Sequence, residues 1–177
     1  FYGPKLDIQF KNVHGKEDTI ITVQIDFALA ERFDMTYIDK NGEKKRPYII
    51  HRSSIGCYER TLAMLIEKYA GAFPTWLSPV QAKILPISDK YNDYAEKVTK
   101  ALKDRGIRVE CDYRAEKIGY KIREARLERS PYILIVGEQE AANNTVSVRS
   151  RKNDDEGAMD LNAFVDRIVA EVANKER

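Results

Sequence analysis

Alternation of apolar and polar positions opens the chain. Leu6, Ile8 and Phe10 alternate with Asp7 and Gln9, the period-two pattern of a half-buried strand. Asn12-Val13-His14-Gly15 reads as a turn. The β-branched run from Thr19 to Phe27 reads as a second strand, so a hairpin or meander is predicted. Asp39-Lys40-Asn41-Gly42 is another turn signal, and Pro47 to Ile50 a further strand. Residues 1–49 therefore predict antiparallel β structure. The period then changes: over Thr61–Tyr69, Leu62, Leu65, Ile66 and Tyr69 fall on one helical face.

Gly71, Pro74 and Pro79 interrupt any helix that follows. Residues 73–79 are expected to form a stiff linker anchored by Phe73 and Trp76. Beyond it strands and helices alternate. Val80–Ile87, Ile107–Cys111, Tyr132–Val136 and Val146–Arg149 read as strands. Lys90–Asp104, closed by Gly106, Lys117–Glu128 and Leu161–Ala173 read as helices. The last carries Leu161, Phe164, Val165, Ile168 and Val172 on one face, and residues 152–157 read as a charged loop. The fold class expected is α/β: an antiparallel-sheet part over 1–72, then an α/β domain over 80–177 with a mixed, partly parallel sheet in two or three layers.

Composition changes this picture little. A chain of 177 residues can bury one or two cores. No apolar run of about 20 residues suggests a membrane helix. Cys57 and Cys111 fall in separate parts, so free thiols in a reducing cytoplasm are expected rather than a disulfide. The start, Phe1-Tyr2-Gly3-Pro4-Lys5, has no initiator Met and is not a signal peptide, so the chain is expected to be a piece of a longer protein. Net charge is only +2, so an argument for nucleic acid has to be local. One local cluster exists. From Arg114 to Arg129 six basic residues (Arg114, Lys117, Lys121, Arg123, Arg126, Arg129) stand against three acids, with Tyr113 and Tyr120 interleaved. Arg149 and Arg151 share a strand parity with Ser147. Such a surface suits single-stranded RNA with splayed bases; a solvated helix laced with ion pairs is the plainer alternative.

In the first part the chemistry concentrates at Ile50-His51-Arg52-Ser53-Ser54-Ile55-Gly56-Cys57-Tyr58-Glu59-Arg60. An arginine on a helix offers a fixed fork of donors for phosphate oxygens, or simply a surface ion pair. A lone histidine suits a metal or a hydrogen-bonded core position. Thr22, Gln24 and Asp26 share one strand face, either a pocket wall or an outer polar face. His14, in a turn, is assigned no role.

The 50–60 segment resembles motif 3 of the class II aminoacyl-tRNA synthetases, in the form with a histidine nine residues before the arginine, as in the threonyl family. Tyr2-Gly3-Pro4-Lys5-Leu6-Asp7 and Thr22-Val23-Gln24-Ile25-Asp26-Phe27 resemble active-site strands of the same family. The string Asp112-Tyr113-Arg114-Ala115-Glu116-Lys117-Ile118-Gly119-Tyr120-Lys121-Ile122-Arg123-Glu124 resembles the anticodon-binding domain shared by the threonyl, prolyl, histidyl and glycyl enzymes. The resemblance implies a truncated class II catalytic part followed by an anticodon-binding domain. It implies Arg60 and Lys5 at the reacting groups, Arg60 and Cys57 near ATP, and Tyr2, Thr22 and Gln24 around the amino acid. His51 would be one zinc ligand, the other two lying upstream of this chain, and Mg2+ would accompany ATP. Glu140, Arg149, Arg123, Lys117 and Arg114 would face the anticodon. The implied partners are threonine-specific tRNA, ATP and threonine, in a cytoplasmic homodimer without membrane contact. The chain alone, lacking motifs 1 and 2, is expected to be inactive. Two departures stand out: Thr19 where relatives have a glutamine that touches ATP, and Ala115 where they often have asparagine. A sister synthetase of the prolyl, histidyl or glycyl type, or a non-catalytic RNA-binding module, are the alternatives; His51 weighs against the sister enzymes.

Overall fold

A computed structural model describes residues 2–176. It divides into two compact units, Phe1–Tyr69 and Ala70–Arg177. The first is built on an antiparallel sheet. Strand β1 (Lys5–Lys11) pairs with β2 (Glu17–Asp26) across the expected turn, where the Asn12 side chain accepts from the His14 and Lys16 amides. A short helix, α1 (Leu29–Arg32), and a small hairpin, β3 (Tyr37–Ile38) with β4 (Lys44–Lys45), lead to β5 (Ile49–Ser53). The sheet order is β1-β2-β5. Helix α2 (Tyr58–Tyr69) closes the unit; it starts three residues earlier than its apolar period predicts.

The register sorts the side chains. Lys5 lies opposite Gln24, Asp7 opposite Thr22, Gln24 opposite His51 and Thr22 opposite Ser53. One sheet face is therefore polar, and the other carries Leu6, Ile8, Val23 and Ile50. Little of that apolar face is buried within the unit: Leu6 is 64% and Ile50 67% exposed, and no residue of α2 is buried.

The second unit has the predicted α/β class. Residues 73–79, expected as a stiff linker, form a folded turn within it. Ser78 donates to the Phe73 and Pro74 carbonyls, and Gln81 donates to the Thr75 carbonyl. The elements are β6 (Ala82–Pro86), α3 (Asn92–Lys103) after a 3-10 turn at Asp89–Tyr91, β7 (Val109–Cys111), α4 (Ile118–Leu127), β8 (Tyr132–Val136), α5 (Glu138–Asn143), β9 (Thr145–Ser150), β10 (Asp154–Asp160) and α6 (Leu161–Asn174). The sheet runs β10-β9-β8-β6-β7, with β7, β6 and β8 parallel and β9 and β10 antiparallel.

Three layers result. On one face Ile84, Leu134, Val136, Val146 and Val148 pack against Val98 and Leu102 of α3 and Phe164 and Ile168 of α6. On the other, Leu85, Ile133 and Ile135 pack under Ala125, Ile118 and Ile122 of α4. Alternate residues of β8 serve opposite layers, which is why Tyr132–Val136 reads as a continuous apolar run.

Two elements differ from expectation. Of the charged loop predicted over 152–157, residues 154–157 form the first half of β10. Its Asp-Asp-Glu-Gly sequence has no strand propensity, and it is a strand because β9 supplies a ladder partner, with a bulge between Asp155 and Gly157. Helix α5 is too short for a periodic signal. Its one local signature is the three-residue spacing of Gly137 and Glu140, whose carboxylate accepts the Gly137 amide at 3.0 Å.

Candidate functional site

The polar face of the first unit gathers the residues singled out there. Asp26 is 1% exposed, at the end of β2. One carboxylate oxygen accepts the Ala28 and Leu29 amides at 2.8 and 3.0 Å; the other lies 2.9 Å from Nε2 of His51. Burial works to raise the Asp26 pKa. The Leu29 and Ala28 amides and His51 outweigh it, so the carboxyl lies below its ordinary value and stays an anion. Beside this pair, Thr22 donates to Asp7 at 2.7 Å and Lys5 pairs with Asp7 at 2.9 Å, and both contacts hold the Asp7 pKa down. Tyr2 joins through its backbone, its carbonyl accepting the Phe27 amide at 2.9 Å. Gly3 lies between, where a Cβ would fall 2.3 Å from the Ile25 carbonyl oxygen.

Arg60 and Cys57 are placed by the start of α2. The Cys57 sulfur accepts the Arg60 amide at 3.4 Å, the position of an N-cap acceptor. One Arg60 nitrogen reaches the Thr19 carbonyl at 3.4 Å, a long contact that leaves most of its donors open. Gly56, at φ +69°, comes against the Ile20 carbonyl at the irregularity where β1 and β2 shift register. His51 with Asp26 offers one imidazole and one carboxylate. Among the described residues no group of three or more metal-ligating side chains occurs, so these residues do not by themselves fit a closed zinc site.

In the second unit the basic cluster is only partly available. Arg114 forks onto Asp112 at 2.8 and 2.7 Å and reaches Glu124 at 2.6 Å. The Arg114 guanidinium beside it is the main reason the Asp112 pKa falls to about 2, and the Arg114 pKa is raised in turn. Lys121 is buried, its ammonium held by the Pro86 and Asp112 carbonyls, so it ties β6 to β7. Lys117 and Arg123 are exposed, and Arg123 borders a shallow pocket of about 280 Å3 with Ile122 and Leu127.

Arg114, Lys117 and Glu140 follow the carboxyl ends of the parallel strands. Arg149 does not join them. It pairs in register with Ile133, about 13 Å back along β8 from Gly137 by strand rise. It shares the sheet face of α4 and contacts Asp155 at 2.5 Å. Sequence reasoning placed Asp26 only as part of a pocket wall or outer polar face, and assigned no role to Asp112 or Asp154. Period-two alternation put Asp26 on the right face, but its partner lies 25 residues away.

Residues 81–171 match the anticodon binding domain family. The chain belongs to that family. Residues 1–69 match the class II tRNA synthetase core domain of the G, H, P, S and T enzymes, so the anticodon-binding unit follows a class II segment. The whole chain is 82% identical to a threonine–tRNA ligase of Clostridium botulinum over 177 residues, and 80% identical over 176 residues to one of Clostridium perfringens. It spans about 28% and 27% of those proteins. The solved RNA binding domain of the threonyl-tRNA synthetase of Cryptosporidium parvum superposes with a TM-score of 0.78 at 38% identity, covering 96% of this chain and 43% of that one. The resemblance read from the motifs is borne out. No helix of the described residues is long and apolar enough to cross a membrane.

Proposed function

We propose that this chain is part of a threonine–tRNA ligase, in which residues 1–69 line the reacting groups and residues 81–171 hold the anticodon loop. One observation carries the reading: 82% identity to a threonine–tRNA ligase along all 177 residues. In that enzyme the threonine carboxylate attacks the α-phosphorus of Mg-ATP, pyrophosphate leaves, and a tRNA hydroxyl then displaces AMP from the adenylate.

Arg60 is the residue we assign to the ATP phosphates, with Cys57 beside them. Its largely uncommitted fork suits charge that grows on phosphate oxygens. Lys5, Tyr2, Thr22 and Gln24 are assigned to the amino-acid pocket. There Asp7 engages both the Lys5 ammonium and the Thr22 hydroxyl, which supports their positioning. His51, oriented by Asp26, is proposed as one zinc ligand of a site completed by residues beyond this chain. This chain alone is expected to hold zinc weakly, and tight stoichiometric zinc in it would contradict that assignment. A cytoplasmic homodimer is proposed for the full enzyme.

Glu140 and Arg149 are the proposed base readers: a carboxylate accepts from base amino groups, and an arginine donates to carbonyls or N7. Arg123 and Lys117 are proposed beside the loop. Arg114 is proposed there through its exposed edge, since Asp112 and Glu124 hold most of its fork.

The test is a titration of this chain with a threonine-tRNA anticodon stem-loop, beside one with changed second and third anticodon bases, at one salt concentration. Preference for the cognate loop, lost in Arg149→Ala, supports the reading. Equal binding to both loops, or none, refutes it. The chain alone is also expected to give no threonine-dependent ATP–pyrophosphate exchange.

A further inference from the structure

A cavity of about 320 Å3 between α4 and the β9–β10 hairpin is lined by four arginines, Arg126, Arg129, Arg149 and Arg151, over a floor of Ile133. Their commitments differ. Arg151 is structural: it donates to the Arg129 carbonyl at 2.8 Å and the Phe73 carbonyl at 2.5 Å. Arg129 forms no ion pair among the described residues. Arg126 and Arg149 both face one carboxylate oxygen of Asp154, Arg126 as a direct donor and Arg149 at 3.6 Å. The Nε of Arg149 is buried and has no hydrogen-bond partner among the described residues. Burial lowers the Arg151 pKa, and the neighbouring charge of Arg129 lowers it further.

Asp154 is the informative member. It starts β10 at the end of the hairpin, in the left-handed backbone region at φ +60°, and its side chain is 65% exposed. Its carboxylate is hydrogen-bonded by Arg126 and lies 3.6 Å from Arg149, whose own hydrogen bond goes to Asp155, so it stands where these guanidinium groups would meet a phosphate. It leaves Arg129 and the Arg149 Nε without an acceptor. An exposed pair of this kind contributes little to folding and is easily exchanged. A phosphodiester brings a full negative charge and more acceptor oxygens, and its neutralisation releases counterions.

We propose that this cleft binds a phosphodiester of the RNA backbone, and that Asp154 occupies the phosphate position until RNA displaces it. The proposal rests on the reading that this unit binds RNA. It adds a backbone site and a built-in competitor beside the proposed base readers, one of which, Arg149, also lines this cleft.

The test uses the whole chain, the cognate anticodon stem-loop, and the variants Asp154→Asn, Arg126→Gln and both together, over a range of salt. Asparagine keeps the size of Asp154 and tolerates the left-handed backbone, so the fold should survive; thermal melting checks this. Asp154→Asn is expected to bind about threefold to tenfold tighter at low salt. Arg126→Gln is expected to bind cognate and altered loops equally more weakly, with a log–log salt slope shallower by about 0.7. The double variant should bind no tighter than Arg126→Gln alone. Unchanged or weaker binding by a folded Asp154→Asn protein, or an unchanged slope in Arg126→Gln, overturns the cleft while leaving RNA binding intact. Wild-type protein that binds no stem-loop overturns the RNA reading and this proposal together. Inorganic pyrophosphate that binds in an Arg126-dependent way, while RNA affinity ignores Arg126, would assign the site to free phosphate and overturn it as stated.

Discussion

Single residues show how charge is divided here between structure and function. Asp112 and Glu156 are both held near a pKa of about 2, chiefly by Arg114 and Arg167 respectively. Depressed carboxylates stabilise the fold above their unfolded values, near 3.8 and 4.5, and that stabilisation is lost as pH falls through about 2. The Asp112 pair is worth about 2 kcal/mol or somewhat less, since Arg114 is half exposed, and the Glu156 pair about 2–3 kcal/mol. Melting temperature is therefore expected to hold from neutral pH to about pH 4.5 and to drop below it. Asp112→Asn should lower it at neutral pH and flatten the acid limb; an unchanged acid limb would show that this pair carries no linkage. The residue type of Arg114 pointed to RNA, and Asp112 had no assigned role. Only the fold brings the fork of one onto the carboxylate of the other.

At the level of elements, glycines decide how close the segments of the first unit come. Gly3 and Gly56 each stand against a β2 carbonyl, where a Cβ would come within 2.3 and 2.9 Å, and both have positive φ. Gly56→Ala is expected to push the start of α2 off the strand, costing about 1–3 kcal/mol and displacing Arg60 from the Thr19 carbonyl. Hydrogen exchange at residues 55–61 reads this out directly. Unchanged protection there would mean the start of α2 does not depend on this approach. The motif could be read from its glycine and arginine, but the close approach depends on the irregular pairing of β1 and β2. The same limit applied to α5 and β10. Helix α5 is too short for a periodic signal and carries only its Glu140 cap as a local mark, while β10 is held by the β9 ladder, which local sequence does not announce.

Across the whole molecule the two units differ in how much apolar surface they bury. The second packs both faces of its sheet. The first exposes Leu6, Ile8, Ile50 and Leu62, and Ala30 is its one fully buried apolar residue among those described. Stability follows buried apolar area. Denaturation is expected to proceed in two steps, with residues 1–69 losing amide protection first and β6, β8 and the buried face of α6 last; a single coincident transition would contradict this. The amino-acid sequence by itself determined the longer strands and helices and their order, the class of the second unit and the motifs that mark the family. Those follow from local periodicity and from short strings of side chains. Tertiary structure alone decided that Asp26 meets His51, that Asp112 takes up Arg114, that an acidic loop becomes a strand, and that Asp154 closes on Arg126 and Arg149. Each of these depends on strand register and on pairing between distant segments, where the partner that satisfies a backbone group or a charge is set by the fold and not by its neighbours in the chain.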